Sequence, residues 1–147
     1  MIARLETEAG SIVFSLKSKD MGSDFFGFSV HVYLREDFPK FLSGDFFCEL
    51  NSADIKRLKE YFSSHLAGLK LGGVCNDLVY FPLSGDLKFR FMDGEVYDSN
   101  DGCFTIGVFF NCRGKAEGSS NSYFGFESVV DVVNMGRFCD GMDSFLR

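Results

Sequence analysis

An α+β fold, with a curved antiparallel β-sheet of six or seven strands and two helices packed on one face, is what this sequence predicts. Three observations lead there. Apolar and polar residues alternate through most of the first fifty positions, the pattern of half-buried strands. Residues 52–69 then switch to helical spacing, with Ile55, Leu58, Phe62, Leu66 and Leu69 on one stripe. Strand alternation resumes after residue 77, and the chain ends on a second, weaker helical stretch.

The elements follow in order. Residues 2–7 read as a first strand, with a turn at Ala9-Gly10. Ile12, Phe14 and Leu16 then alternate with Val13, Ser15 and Lys17. Phe26, Phe28, Val30, Val32 and Leu34 define one face of the next strand; Phe25, Gly27, Ser29, His31, Tyr33 and Arg35 define the other. Glu-Asp-Phe-Pro at 36–39 ends it, and Phe46, Cys48 and Leu50 mark another strand. Asn51 is placed as an N-cap, with Asp54 at N3 and Leu50 and Ile55 positioned to close a hydrophobic staple. Lys56, Arg57, Lys59 and Glu60 fall on the solvent face, and Gly68 or Gly72 can end the helix.

Further strands are predicted at 78–83, 87–92 and 103–112, with Phe104, Ile106, Val108 and Phe110 on one face of the last. Residues 113–122, RGKAEGSSNS, read as a mobile loop. A short strand near Tyr123–Phe126 leads to Ser128-Val-Val-Asp131, a capping-box-like start for the final helix. No internal repeat and no second domain are read, so residues 1–147 form one domain. Its core should include Phe14, Phe28, Val30, Leu58, Phe62, Phe89, Phe91, Ile106 and Val108.

Composition narrows the partners. The 147 residues, 46% hydrophobic and 24% charged, suffice for a core and argue against disorder. A net charge of −6 leaves no excess of Lys and Arg to neutralise phosphates, which disfavours nucleic acid or an anionic membrane and is compatible with a basic protein. The N-terminus, MIARLETEAGSIVF, mixes charges into its apolar residues and carries no signal-peptide h-region. Cys48, Cys75, Cys103, Cys112 and Cys139 are odd in number and form no CxxC, so free thiols in a reducing cytoplasm are expected.

Signatures of chemistry are missing from the string. In the acidic tract DGEVYDSNDG at 93–102, neither Asp93 nor Asp98 starts a loop with a Gly at position 6 and a Glu at position 12, so it is no EF-hand. Asp93-Gly94 and Asp101-Gly102 read instead as turn dipeptides in an acidic connection between strands. His31 and His65 lie in no Ser, Cys or metal-ligand motif, and GKAEGSS lacks phosphate-loop spacing. No cofactor, metal or catalytic residue is assigned, and no enzyme is expected.

The informative feature is the doubled phenylalanine at 25–26, 46–47 and 109–110. Neighbours on a strand point to opposite faces. If Phe26, Phe46 and Phe110 face the helices, then Phe25, Phe47 and Phe109 face away, together with His31, Tyr33, Lys88, Arg90 and Glu49. An aromatic, Arg-containing face of this kind matches interface cores. Phe25, Tyr33, Phe47, Arg90 and Phe109 are therefore candidate partner contacts, and Glu95, Asp98 and Asp101 a candidate acidic contact. A second copy of the chain is another way to cover the face.

The order of elements, with FSVHVYL, LNSADIKRLKEYFSSHLAGL, LKFRF, GCFTIGVFFN and FGFESVVDVVNMGRFCDGMDSFL, looks like the WapI-type bacterial immunity proteins and related small immunity domains. The resemblance covers most of the chain as pattern and order. It implies a cytoplasmic antidote that binds and neutralises a cognate toxin domain, such as a basic nuclease, and it supplies no catalytic residues. The alternative is a small-ligand binder or enzyme with a pocket between sheet and helices, marked by His31 or His65 beside a convergent carboxylate.

Overall fold

Eight strands and two helices make up the described residues of this computed structural model, which are 1–20, 22–38, 44–72, 77–112 and 121–147. Four strands and a helix come first: β1 (Ile2–Thr7), β2 (Gly10–Lys19), β3 (Phe25–Leu34), β4 (Gly44–Asn51) and α1 (Ser52–Lys70). The same series follows: β5 (Leu78–Tyr80), β6 (Leu87–Asp98), β7 (Asp101–Asn111), β8 (Tyr123–Asp131) and α2 (Val132–Ser144). Each set of four strands is an antiparallel meander in sequence order, β1-β2-β3-β4 and β5-β6-β7-β8. The protein is thus α+β with two helices, but the single sheet of six or seven strands is corrected to two sheets of four.

Edge chemistry keeps the sheets apart. The outer edge of β4 meets side chains from the segment between β5 and β6 where a further strand would pair. The Glu49 N–H donates to Asp86 Oδ2 at 2.9 Å, and its carbonyl accepts from Ser84 Oγ at 2.7 Å. At the other margin the β1–β2 turn touches β8 through Glu8 N–H to Val129 O and Ala9 N–H to Ser128 Oγ, both 2.9 Å. The Glu49 and Ala9 backbone groups are satisfied by side chains and need no strand partner, and Glu8 makes a backbone bond to Val129 without a ladder following it.

No repeat is legible in the residues, yet the two halves share one plan, and their helices are exchanged. α1 lies mainly against β6 of the second half, and α2 mainly against β1 of the first. Gly141 permits the second contact, because a Cβ there would sit 3.1 Å from the Cβ of Ala3. Phe138 of α2 meets Phe14 of one sheet (5.4 Å between centroids) and Phe89 of the other (6.1 Å). Both helices therefore occupy the shared inner side, and all nine residues expected in the core are buried there. Burying each ring or leucine contributes about 2 kcal/mol.

α1 begins as its sequence dictates. Asn51 Oδ1 accepts from Asp54 N–H at 2.7 Å, and Asp54 returns the bond to Asn51 N–H at 3.2 Å. Asp54 is buried and also accepts from Leu83 N–H and from Arg57. Arg57 goes on to Phe81 O, so it latches α1 to the segment after β5 and does not belong to a solvated face.

Three boundaries differ from expectation. β5 stops at Tyr80, before Pro82. β6 runs through the acidic tract to Asp98, which pairs with Asp101, so the hairpin turns at Ser99-Asn100 and not at the Asp-Gly dipeptides. Gly94 serves the strand pair instead: a Cβ there would lie 2.2 Å from Cys103 O. Residues 128–131 continue β8, and the last helix starts after Asp131, whose carboxylate accepts from Val133 N–H at 2.7 Å. The β-branched Val129 and Val130 favour the pleated conformation, which overrides the capping pattern. The loop expected over 113–122 falls mostly, and Cys75 wholly, outside the described residues.

Candidate functional site

Strand alternation places the candidate residues as expected: the helix-facing members of the Phe pairs pack inward and their neighbours lie outside. Phe26 and Phe110 are buried and Phe46 packs against the core, while Phe25 and Phe109 are half-buried and Phe47 is 60% exposed. No helix covers the outer faces of the two sheets in the described residues.

The outer rings differ in their surroundings. Phe47 of β4 lies over Gly27 of β3, whose missing side chain makes room for the ring, with the built Cβ position 3.1 Å from its edge. Tyr33 is 54% exposed and rests against His31 with 4.1 Å between ring centroids, and His31 Nδ1 lies 2.5 Å from Asp45 Oδ1. Phe25 stands eight residues from Tyr33 on the same strand, roughly 25 Å away. These three rings occupy separate stretches of one face.

On the second sheet Phe109 has a neighbour of its own. The ammonium of Lys88 sits over its ring at 5.1 Å, over Tyr123 at 4.5 Å and over Phe81 at 5.9 Å. Phe109 is thus one wall of an aromatic cage around a lysine. Arg90 forks onto Asp77 through Nε (3.0 Å) and Nη2 and reaches Glu127 at 3.6 Å through Nη1. Its charge is matched by carboxylates within the chain. Sequence spacing gave no sign of either arrangement, because Asp77, Phe81, Tyr123 and Glu127 converge only through strand pairing.

Glu95, Asp98 and Asp101 are exposed at the far end of the β6–β7 hairpin. Tyr97, 68% exposed, donates to Glu95 at 3.1 Å, and Asp98 Oδ1 accepts from Asn100 N–H at 2.7 Å. Lys88 and Phe109 pair at the opposite end of the hairpin, so the acidic tip stands roughly 30 Å from the aromatic cage. The structure does not bring the two candidate groups together.

The two histidines sit in different settings. His65 is 4% exposed and packs between Phe91 and Phe104, with Nε2 2.7 Å from Met92 O. Burial holds its pKa below the usual histidine value, against the pull of that hydrogen bond and of nearby Asp77 and Asp93. His31 and Asp45 form a pair on the open outer face. Among the described residues no three His, Cys, Asp or Glu side chains converge as metal ligands would. No described helix is long and apolar enough to cross a membrane.

Fold and surface together define an α+β arrangement of two meander–helix halves whose outer sheet faces carry aromatic side chains and, among the described residues, no helix. Compared with family models, curated proteins and solved structures, the chain finds no match in any of the three.

Proposed function

We propose that this chain is an inhibitor-type binding protein of the immunity class: a cytoplasmic antidote that neutralises a toxin domain by covering it, without catalysis. The observation that carries the reading is the aromatic outer face, which no described helix covers. Phe47 and Tyr33 stand more than half exposed on the first sheet. Phe81 is exposed on the second, beside Lys88. Large aromatic side chains supply contact area at low entropic cost and are the residue type on which interfaces concentrate their energy.

Charge supports a basic partner. The chain carries −6 overall, and Glu95, Asp98 and Asp101 project at one extremity. A nuclease presents Lys and Arg to substrate phosphates, and an acidic protein can engage those same bases. Phe47 and Tyr33 would hold the complex, and the acidic hairpin would speed its formation. A second copy of the chain is the competing occupant of the same face.

Co-purification from the native cell tests the reading, using the wild-type chain and a Phe47→Asp, Tyr33→Asp variant as parallel baits. We expect a toxin domain with a basic surface to come with the wild type and to be lost with the variant. Recovery of no such protein by the wild type, or equal recovery by both baits, would defeat it.

A further inference from the structure

β8 closes the strand order of the second sheet, and part of its outer edge is open. Backbone groups of successive residues in an antiparallel pair point alternately toward and away from the partner strand. Ser122, just before β8, gives its carbonyl to Cys112 N–H on the β7 side, whereas Val129 gives its carbonyl to Glu8 N–H on the other side. The even-numbered residues of β8 therefore bond β7, and Tyr123, Gly125 and Glu127 turn their backbone groups away from it. Among the described residues no hydrogen bond reaches those edge groups. Such a run is a template for another strand, and β8 contains neither the Pro nor the Lys that commonly blunts an edge.

We propose that this edge pairs with the same edge of a second copy of the chain, antiparallel about a two-fold axis at Gly125, joining two second sheets into one. The sequence is self-complementary there, because Phe124-Gly125-Phe126 reads the same in both directions. Pairing Gly125 with its own copy sets Phe124 opposite Phe126 of the second copy, and Tyr123 opposite its Glu127. Phe124 is 50% exposed even though its strand register places it on the inner side, across from buried Phe110. Phe126 is partly buried against the core. The cross-strand contact covers the exposed ring twice, once on each side of the axis, with the kind of aromatic pair that stabilises sheets. Each copy uses the same patch, so the assembly closes at two chains.

Charge is complementary on the outer side of the same ladder. Among the described residues Lys88 has no carboxylate within ion-pair distance, and its ammonium sits 4.5 Å over the Tyr123 ring. The proposed register brings Glu127 of the second copy beside that ring. Glu127 is exposed and meets Arg90 through one nitrogen at 3.6 Å, while Arg90 is forked on Asp77, so the glutamate keeps an oxygen for a second cation. The Glu8–Val129 bond bars the ladder beyond residue 127 and confines it to 123–127, a short contact that suits a weak dimer. The face that carries Phe47 and Tyr33 stays open, so the proposal is independent of the protein-binding reading above.

Sedimentation equilibrium of the full chain over a wide concentration range, at an ionic strength that screens its net charge of −6, tests the pairing together with amide hydrogen exchange. We expect the average mass to rise toward that of two chains. The Tyr123, Gly125 and Glu127 N–H groups should exchange roughly tenfold more slowly once about nine-tenths of the chain is paired. Those of Phe124 and Phe126, already bonded to β7, should change little. Glu127→Pro deletes an N–H that β7 does not use, a position where a strand tolerates proline, and should keep the fold while losing the dimer. Phe124→Lys should act in the same direction by placing a charge on the edge. A chain that stays monomeric throughout, a dimer in which the three edge amides remain unprotected, or dimerisation of folded Glu127→Pro at wild-type strength would overturn the proposal.

Discussion

The ring of Phe46 lies flat on that of Phe110, with 4.2 Å between centroids and 5° between planes, and so joins the last strand of the first sheet to the third strand of the second. Phe110 is fully buried in this contact. Phe110→Ala should cost about 3–5 kcal/mol through lost burial and an unfilled cavity. Phe47→Ala, one residue from Phe46 but on the outer face, should change stability by less than about 1 kcal/mol. Chemical denaturation of the two variants compares them directly, and similar losses would mean that the inward and outward assignments are wrong.

Phe62 reports on the phase of α1. Its ring packs against Phe104, 6.1 Å between centroids, and is nearly fully buried. Phe62→Ala is expected to cost roughly 3–5 kcal/mol in the same assay. A loss below about 1 kcal/mol would mean that the helix presents a different face.

Asp54 does more than cap a helix. Asn51→Ala removes only one side of the capping box and should cost about 1 kcal/mol. Asp54→Ala also strips the Leu83 N–H and Arg57 of their acceptor in a buried site, and should cost roughly 3 kcal/mol. Equal effects of the two substitutions would show that the latch to the segment after β5 contributes nothing.

His65 sets a direction for pH dependence. Burial lowers its folded-state pKa beneath the ordinary value of 6.5, so below pH 6.5 the unfolded chain binds the extra proton first. Stability should be full above that pH and decline as the pH falls from 6.5 toward the folded-state value. Thermal unfolding at pH 7.5 and 5.5 measures the decline, and His65→Gln should flatten it. An unchanged slope in the variant would place the titrating group elsewhere.

For the acidic hairpin tip, Glu95→Gln/Asp98→Asn/Asp101→Asn relieves repulsion among exposed like charges, so stability should be unchanged or slightly higher. Association with the proposed basic partner should slow and lose much of its salt dependence, with little change in dissociation. Stopped-flow binding at two ionic strengths reads both rates. Wild-type association by the triple variant at low salt would reduce the tip to a soluble turn.

Local pattern by itself determined a good deal of this protein. Helix α1, its Asn51–Asp54 cap and the inward and outward sorting of each Phe pair follow from residues within a turn of helix or a pleat of strand, where periodicity acts directly. Only the tertiary structure decided the rest. The split into two sheets depends on Ser84 and Asp86 capping the edge of β4, and on the β1–β2 turn meeting β8. The start of α2 turned on β8 pairing with β7, which held Val129 and Val130 extended against a capping-box-like sequence. Lys88 found its rings, Arg90 its carboxylates and Glu8 its place beside Glu127 through contacts between residues far apart in the chain. Such pairings are set by which strands lie side by side, and that order depends on the edges of the sheets and on the helices packed across them, none of which is encoded in the spacing of neighbouring residues.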